Sequence, residues 1–240
     1  MVSRRGDPIV KRVVLVVCVC IIATNVANAA DLQKLNDRIE AGHAVLHELM
    51  GTPDKGIPEG IASKATCVAV IPGFKEGAFV VGAQYGQGIL SCRTGHGWSA
   101  PVFIQMTGAS FGLQVGGQST DLVLVAINHD GFQHLLKDKV KLGGDAAVAA
   151  GPLGRNSQAS TTELANAALL SYSRSKGVFA GIDLTGDVVN QNHDDTRAYY
   201  GKDLPYETIL TGGVAVPASA RHFVRTVSEL FHAHAKHNAQ

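Results

Sequence analysis

The sequence predicts an α+β fold: a glycine-rich antiparallel sheet or partial barrel flanked by N-terminal and C-terminal helices. Three observations carry it. Short β-branched runs follow one another from Cys67 to Ile127, and their connections are too short for crossover helices. Helical periodicity brackets them, with Leu32, Leu35, Ile39, Val45, Leu46 and Leu49 before, and Phe223, Val227, Leu230 and Phe231 after. Glycine stands at 27 of 240 residues, about 11% against a usual ~7%. It recurs every fourth residue at Gly82 and Gly86, and again at Gly108, Gly112 and Gly116. That spacing keeps the glycines on one face of a strand. Strong curvature is the preferred reading, and close approach of another backbone or a ligand is the alternative.

Composition supports one sizeable core. Apolar residues make up 45% of the chain and charged residues 17%, which excludes disorder as the main state. A net charge of +1 lacks the basic excess of a nucleic-acid-binding protein.

Residues 1–29 read as a signal peptide. Arg4, Arg5, Lys11 and Arg12 form a basic start, Val13 to Ala23 an apolar run, and Ala27-Asn28-Ala29 a small-x-small cleavage site. An uncleaved anchor is the alternative, although the run is about half the length a bilayer core requires. Cleavage near Ala29 removes four bases and Asp7, turning +1 into −2. The expected location is periplasmic or secreted. Cys18 and Cys20 leave with the leader. Cys67 and Cys92 then read as a disulfide in an oxidising compartment, with two buried thiols as the alternative. The bridge requires the start of one strand and the end of another to meet side by side and antiparallel.

The mature chain is read in order. Asp31 to Met50 is a helix with an acidic polar face, and Pro58 starts a short turn through Lys64. Strands are expected at Cys67–Ile71, Ala78–Tyr85, Gly88–Arg93, Trp98–Met106, Ser110–Val115 and Leu122–Ile127. Asp130 to Asp138 is a helix with Asp130 as its N-cap and Gln133 at N3. Residues 139–159 form a small, glycine-rich loop with strand pieces. Leu169–Ser175 and Gly177–Leu184 are a second β unit. Asp195 to Tyr200 is a short helix ended by Gly201, and Ala218 to Phe231 is amphipathic. Gly77-Ala78-Phe79 with Gly86 and Gly177-Val178-Phe179 with Gly186 are two similar hairpins or a coincidence of composition.

Three patterns bear on chemistry. Gly108-Ala109-Ser110-Phe111-Gly112 fits the G-x-S-x-G of a hydrolase nucleophile elbow, which requires a helix after the serine. Leu113 to Gly117 is strand-like, so a bent strand is preferred, and an exported serine hydrolase using Ser110 is the alternative function. His232, His234 and His237 have metal-like spacing but no accompanying carboxylate or cysteine. No metal and no cofactor are expected. Lys137, Lys139 and Lys141 form a small basic run beside Leu135, Leu136, Val140 and Leu142, and Arg174 and Lys176 form a second basic spot. Bases beside apolar residues suit an anionic lipid surface. A solvated edge strand is the alternative.

The strings SFGLQVGGQSTDLVLV (110–125), KLGGDAAVAAGPLG (141–154) and SYSRSKGVFAGIDLTG (171–186) resemble the SYLF domain family. The resemblance covers roughly residues 31–212. It implies lipid binding without catalysis. In eukaryotic members it implies phosphoinositide binding, and in some of them actin binding beside an SH3 or FYVE module. Two departures matter. The matching N-terminal helix carries more acids than bases, and SH3 and FYVE motifs are not found.

The resulting expectation has residues 1–29 as leader, 30–212 as a SYLF-like lipid-binding domain and 213–240 as a C-terminal helix and polar tail. The partner is membrane lipid held peripherally through Lys137, Lys139, Lys141, Arg174 and Lys176, with no nucleic acid and no actin. A structural envelope protein working through protein contacts is the further alternative.

Overall fold

The computed structural model describes residues 31–49, 51, 56–154, 166–175 and 178–232, with side chains for all of these except 77–82 and 110–118. The leader, Lys176, His234 and His237 lie outside the described residues.

Two long strands replace the six expected short ones. β1 spans Cys67–Thr94 and β3 spans Val102–Ala126, joined through β2 (Gly97–Trp98). They pair antiparallel from Cys67↔Ala126 to Leu90↔Val102. Only Thr94 to Gly97 among the expected connections is a turn. Gly86-Gln87 and Gly116-Gly117 lie inside the ladder, because glycine still donates and accepts backbone hydrogen bonds there. The pairing register shifts between Ile71 and Phe74. There Gly73 adopts φ 60 and donates its N–H to Asp121 Oδ1 at 2.8 Å.

The hairpin curls so that the two halves of β1 run antiparallel against each other. Cys67 and Cys92 form a disulfide with Cα atoms 3.9 Å apart, and Arg93 N donates to Thr66 O at 2.7 Å. The bridge therefore joins two ends of one strand, where two separate strands were expected. Gly86 and Gly88 make the contact possible. A β-carbon on Gly86 would lie 2.7 Å from Phe74 Cδ2, and one on Gly88 2.7 Å from Ile71 Cγ1. Close backbone approach is thus what the glycines at these two positions provide, within the curvature expected.

The shorter elements complete the sheet. β6 (Leu169–Ser175) pairs antiparallel with residues 121–126 of β3, and β7 (Val178–Gly181) with β6. β8 (Val188–Gln191) pairs with residues 104–107 of β3 and with β4 (Lys139–Lys141). β5 (Val148–Ala150) pairs parallel with β6, so the sheet is mixed and departs at this point from the all-antiparallel expectation. β8 lies between the expected second β unit and the expected helix, where no element was assigned from the sequence. The internal repeat is not structural: Gly86 lies in mid-strand, whereas Gly186 is in a turn with φ 98.

Helix α1 covers residues 31–49, and α2 is Glu59–Ala62. α3 (His129–Leu135) is capped by Asn128, whose side chain accepts from Gly131 N. The cap therefore lies two residues before the expected Asp130, since the Asn128 backbone is the extended one. α4 is His193–Tyr200, ended by Gly201 at φ 69, and α5 is Tyr206–Leu210. A 3-10 turn at Ala218–Ala220 leads into α6 (Arg221–Leu230).

Alternation along the strands divides the core in two. Val68, Val70, Val123 and Val125 face α1 and α6, packing with Leu35, Ile39, Leu46, Phe223, Val227 and Phe231. Cys67, Ala69, Ile71, Leu122 and Leu124 face inward with Leu90, Ile104, Leu135, Ile209 and Leu210. Leu32 lies off the buried stripe of α1 and is exposed.

The crossing of β1 generates a test. Gly88→Val is expected to lower unfolding free energy by about 3 kcal/mol through overpacking. Gly95→Ala, where a β-carbon meets nothing within 4 Å, is expected to stay within about 0.5 kcal/mol. Urea midpoints of both variants check this.

Candidate functional site

The two expected basic spots have different fates. In β4 the side chains alternate, so Lys139 and Lys141 are exposed while Val140 between them is buried. Lys137 is exposed beside them, with Nζ 3.3 Å from His134 Nδ1. Of their apolar neighbours, Leu135, Val140 and Leu142 are buried, and Leu136 is half-buried against the same core. The lysines therefore form a cationic edge whose apolar residues face the core. Lys141 N donates to Asp145 Oδ2 at 2.8 Å, which closes the turn after β4.

Arg174 belongs to the framework. Its guanidinium bonds Asp121 Oδ2 through Nε at 2.8 Å and Nη2 at 2.5 Å, and reaches Glu48 through Nη1. Asp121 also takes the N–H of Gly73. One junction thus ties α1, the bend in β1, β3 and β6. Its side chain is 20% exposed. Arg174 sits on the ladder off residues 121–126 of β3, and the lysines on the one off residues 104–107.

Ser110 lies in mid-strand, its backbone paired with Gly82, and residues 113–120 continue β3. The helix that an elbow requires after the serine is replaced by strand. His232 is exposed, with Nδ1 2.9 Å from Glu229 O. Among the described residues no cluster of three His, Cys, Asp or Glu side chains is placed to hold a metal.

Two features escaped the sequence reading. A shallow groove of about 240 Å³ lies between α2 and the end of α6, lined by Ile57, Ala62, Leu230, Glu59, Glu229 and His232. Burial also isolates Tyr172, whose hydroxyl has no hydrogen-bond partner among the described residues. Desolvation pushes its pKa up.

The fold and these surfaces define an α+β domain on a curled half-barrel, offering a cationic β4 edge and a small apolar groove. Known proteins give its family. A family model described as "Ysc84: Las17-binding protein actin regulator" matches residues 107–230. SH3 domain-containing YSC84-like protein 1 of Rattus norvegicus is 38% identical over 171 residues, covering 70% of this chain and 50% of its own length. Protein YSC84 of Saccharomyces cerevisiae is 34% identical over 176 residues, 72% of this chain and 37% of its own. LAS seventeen-binding protein 3 of the same yeast is 33% identical over 178 residues, 72% of this chain and 39% of its own. This chain belongs to the Ysc84 family, also called the SYLF family. It spans about half, or less, of the length of these relatives.

The family corrects the expected partner. Membrane lipid without actin was expected, whereas relatives are named for Las17 binding, SH3 domains and actin regulation. The physical reason is visible at β4. The lipid reading needed exposed apolar residues beside the lysines, and Leu135, Val140 and Leu142 are buried.

Two substitutions test the assignments made here. Arg174→Met leaves Asp121 and Glu48 without their cation and is expected to cost about 2 kcal/mol, read by chemical denaturation. Tyr172→Phe removes a hydroxyl without a partner and is expected to be neutral or stabilising by up to about 1 kcal/mol, read as an equal or raised Tm.

Proposed function

We propose that this chain is a non-catalytic binding domain whose partner is a protein of the actin-regulating class. The observation that carries this reading is family membership, with relatives named as binding and regulator proteins. The mid-strand position of Ser110 supports the absence of hydrolase chemistry. Lys137, Lys139 and Lys141 are the proposed contacts, since all three are exposed on one edge. Arg174 is left out because two carboxylates already hold it. Export is a competing proposal, because it would remove the chain from a cytosolic partner. It rests on the leader pattern of residues 1–29 and draws support from the Cys67–Cys92 disulfide, a bond suited to oxidising compartments. N-terminal sequencing of the purified product checks it: a start at Ala30 supports export, and a retained Met1 overturns it.

The binding test is co-sedimentation with actin filaments and pull-down with a Las17-type protein, at low and high salt. Anionic vesicles run in parallel, with released fatty acid assayed. Salt-sensitive binding to either protein is expected, weakened about tenfold when Lys137, Lys139 and Lys141 all become Gln. Failure to bind both proteins overturns the partner class. Fatty-acid release overturns the non-catalytic reading.

A further inference from the structure

A buried carboxylate stands at the root of the glycine-rich ribbon. Asp187 immediately precedes β8 and is 4% exposed. It is wedged against β3, where a β-carbon on Gly108 would collide with Asp187 Oδ1. The same β-carbon would lie 3.1 Å from Gln84 Oε1, so both side chains border the space beside Gly108. The Asp187 backbone is bonded, with its N–H donating to Leu184 O and its carbonyl accepting from Leu142 N. Its carboxylate has no donor among the described residues.

The charged groups facing it are all negative. Glu76 comes from β1 and Asp183 from the turn before β8. The Thr185 hydroxyl and N–H both donate to Asp183 Oδ1, which holds that carboxyl below its usual range and charged. Lys141, opposite Val188 on β4, is exposed and makes no ion pair with Asp187. Burial, then Glu76, then Asp183 push the Asp187 pKa up to about 6.

The topology gives this position leverage. Residues 104–107 of β3 are held by β1 and by β8, whereas Gly108 to Ser119 pair, among the described residues, with β1 alone. Gly108 is one root of that two-stranded ribbon. Glu76, paired with Gln118, is the other. Asp187 faces both.

We propose that Asp187 is an acid-operated clasp on the β1–β3 ribbon, closed when its carboxyl is protonated and loosened when it is ionised. The neutral acid has an O–H to donate to Gln84 Oε1, and it removes the repulsion with Glu76 and Asp183. The sign follows from the raised pKa. A released Asp187 titrates near its ordinary 3.8, so acid favours the closed ribbon. That advantage is complete below about pH 4 and is lost as pH rises through about 6.

Amide hydrogen exchange on the full chain at pH 5.0 and 7.5, corrected for intrinsic rates, tests the clasp. Opening of amides 77–86 and 107–117 is expected to rise about tenfold at the higher pH. In Asp187→Asn, which keeps the shape and supplies a donor, protection is expected to be high and equal at both. Equal protection in the wild type overturns the proposal, and so does a pH effect that persists in Asp187→Asn. A carboxyl carbon NMR titration of the wild type and Glu76→Gln is independent of that variant's folding. A midpoint near 6 that falls in Glu76→Gln supports the clasp. A wild-type midpoint below 5 overturns it.

Discussion

The fold depends on one strand lying against itself. Residues 70–74 and 86–88 of β1 meet at backbone distance because Gly86 and Gly88 carry no side chain. Without that contact the hairpin would be a flat ribbon with one face exposed. With it, Ile71, Leu90, Ile104 and Leu124 become an inner core and Val68, Val70 and Val125 an outer one. The helices then have a convex surface to cover, and α1 and α6 do so from opposite ends of the chain. The Cys67–Cys92 bond closes the same crossing covalently.

The junction at Arg174 does for the edges what the crossing does for the centre. Asp121 accepts from both Arg174 and the bend at Gly73, and Glu48 brings in the end of α1. A planar cation with several donors suits such a node, since it can satisfy two carboxylates at once. This separates the two basic spots. Charge held between carboxylates is framework, and charge on the β4 edge is exposed.

Most of the architecture was legible because periodicity and burial agree. The helical stripe of α1, the pair β6 and β7 and the helix ended by Gly201 follow from local pattern, whereas the Cys67–Cys92 bond was legible only from cysteine count and compartment. The strand count was not legible. Glycine in mid-ladder and glycine in a turn have the same letter, and of the breaks expected between Cys67 and Ile127 only Thr94 to Gly97 reverses direction. Asp130 hid the true cap because Asn128 competes for the same role. The candidate site was legible only in part. Alternating Lys and Val announced the β4 edge, yet nothing in the string says that Arg174 meets Asp121 and Glu48. Asp187 carried no signal either, since its burial depends on Gly108, far away in sequence.

The long hairpin also governs how the chain reaches this state. Its outermost pair, Cys67 with Ala126, is also its most distant in sequence, and the order of pairing runs back to the turn at Thr94–Gly97. Contacts of this kind impose loop-closure entropy before they return any stabilisation, which slows folding. Local closure at the turn is the natural starting point, with zippering toward the ends. The last pairs to form are then those that carry Cys67, so oxidation of Cys67 with Cys92 reports the finish of the search.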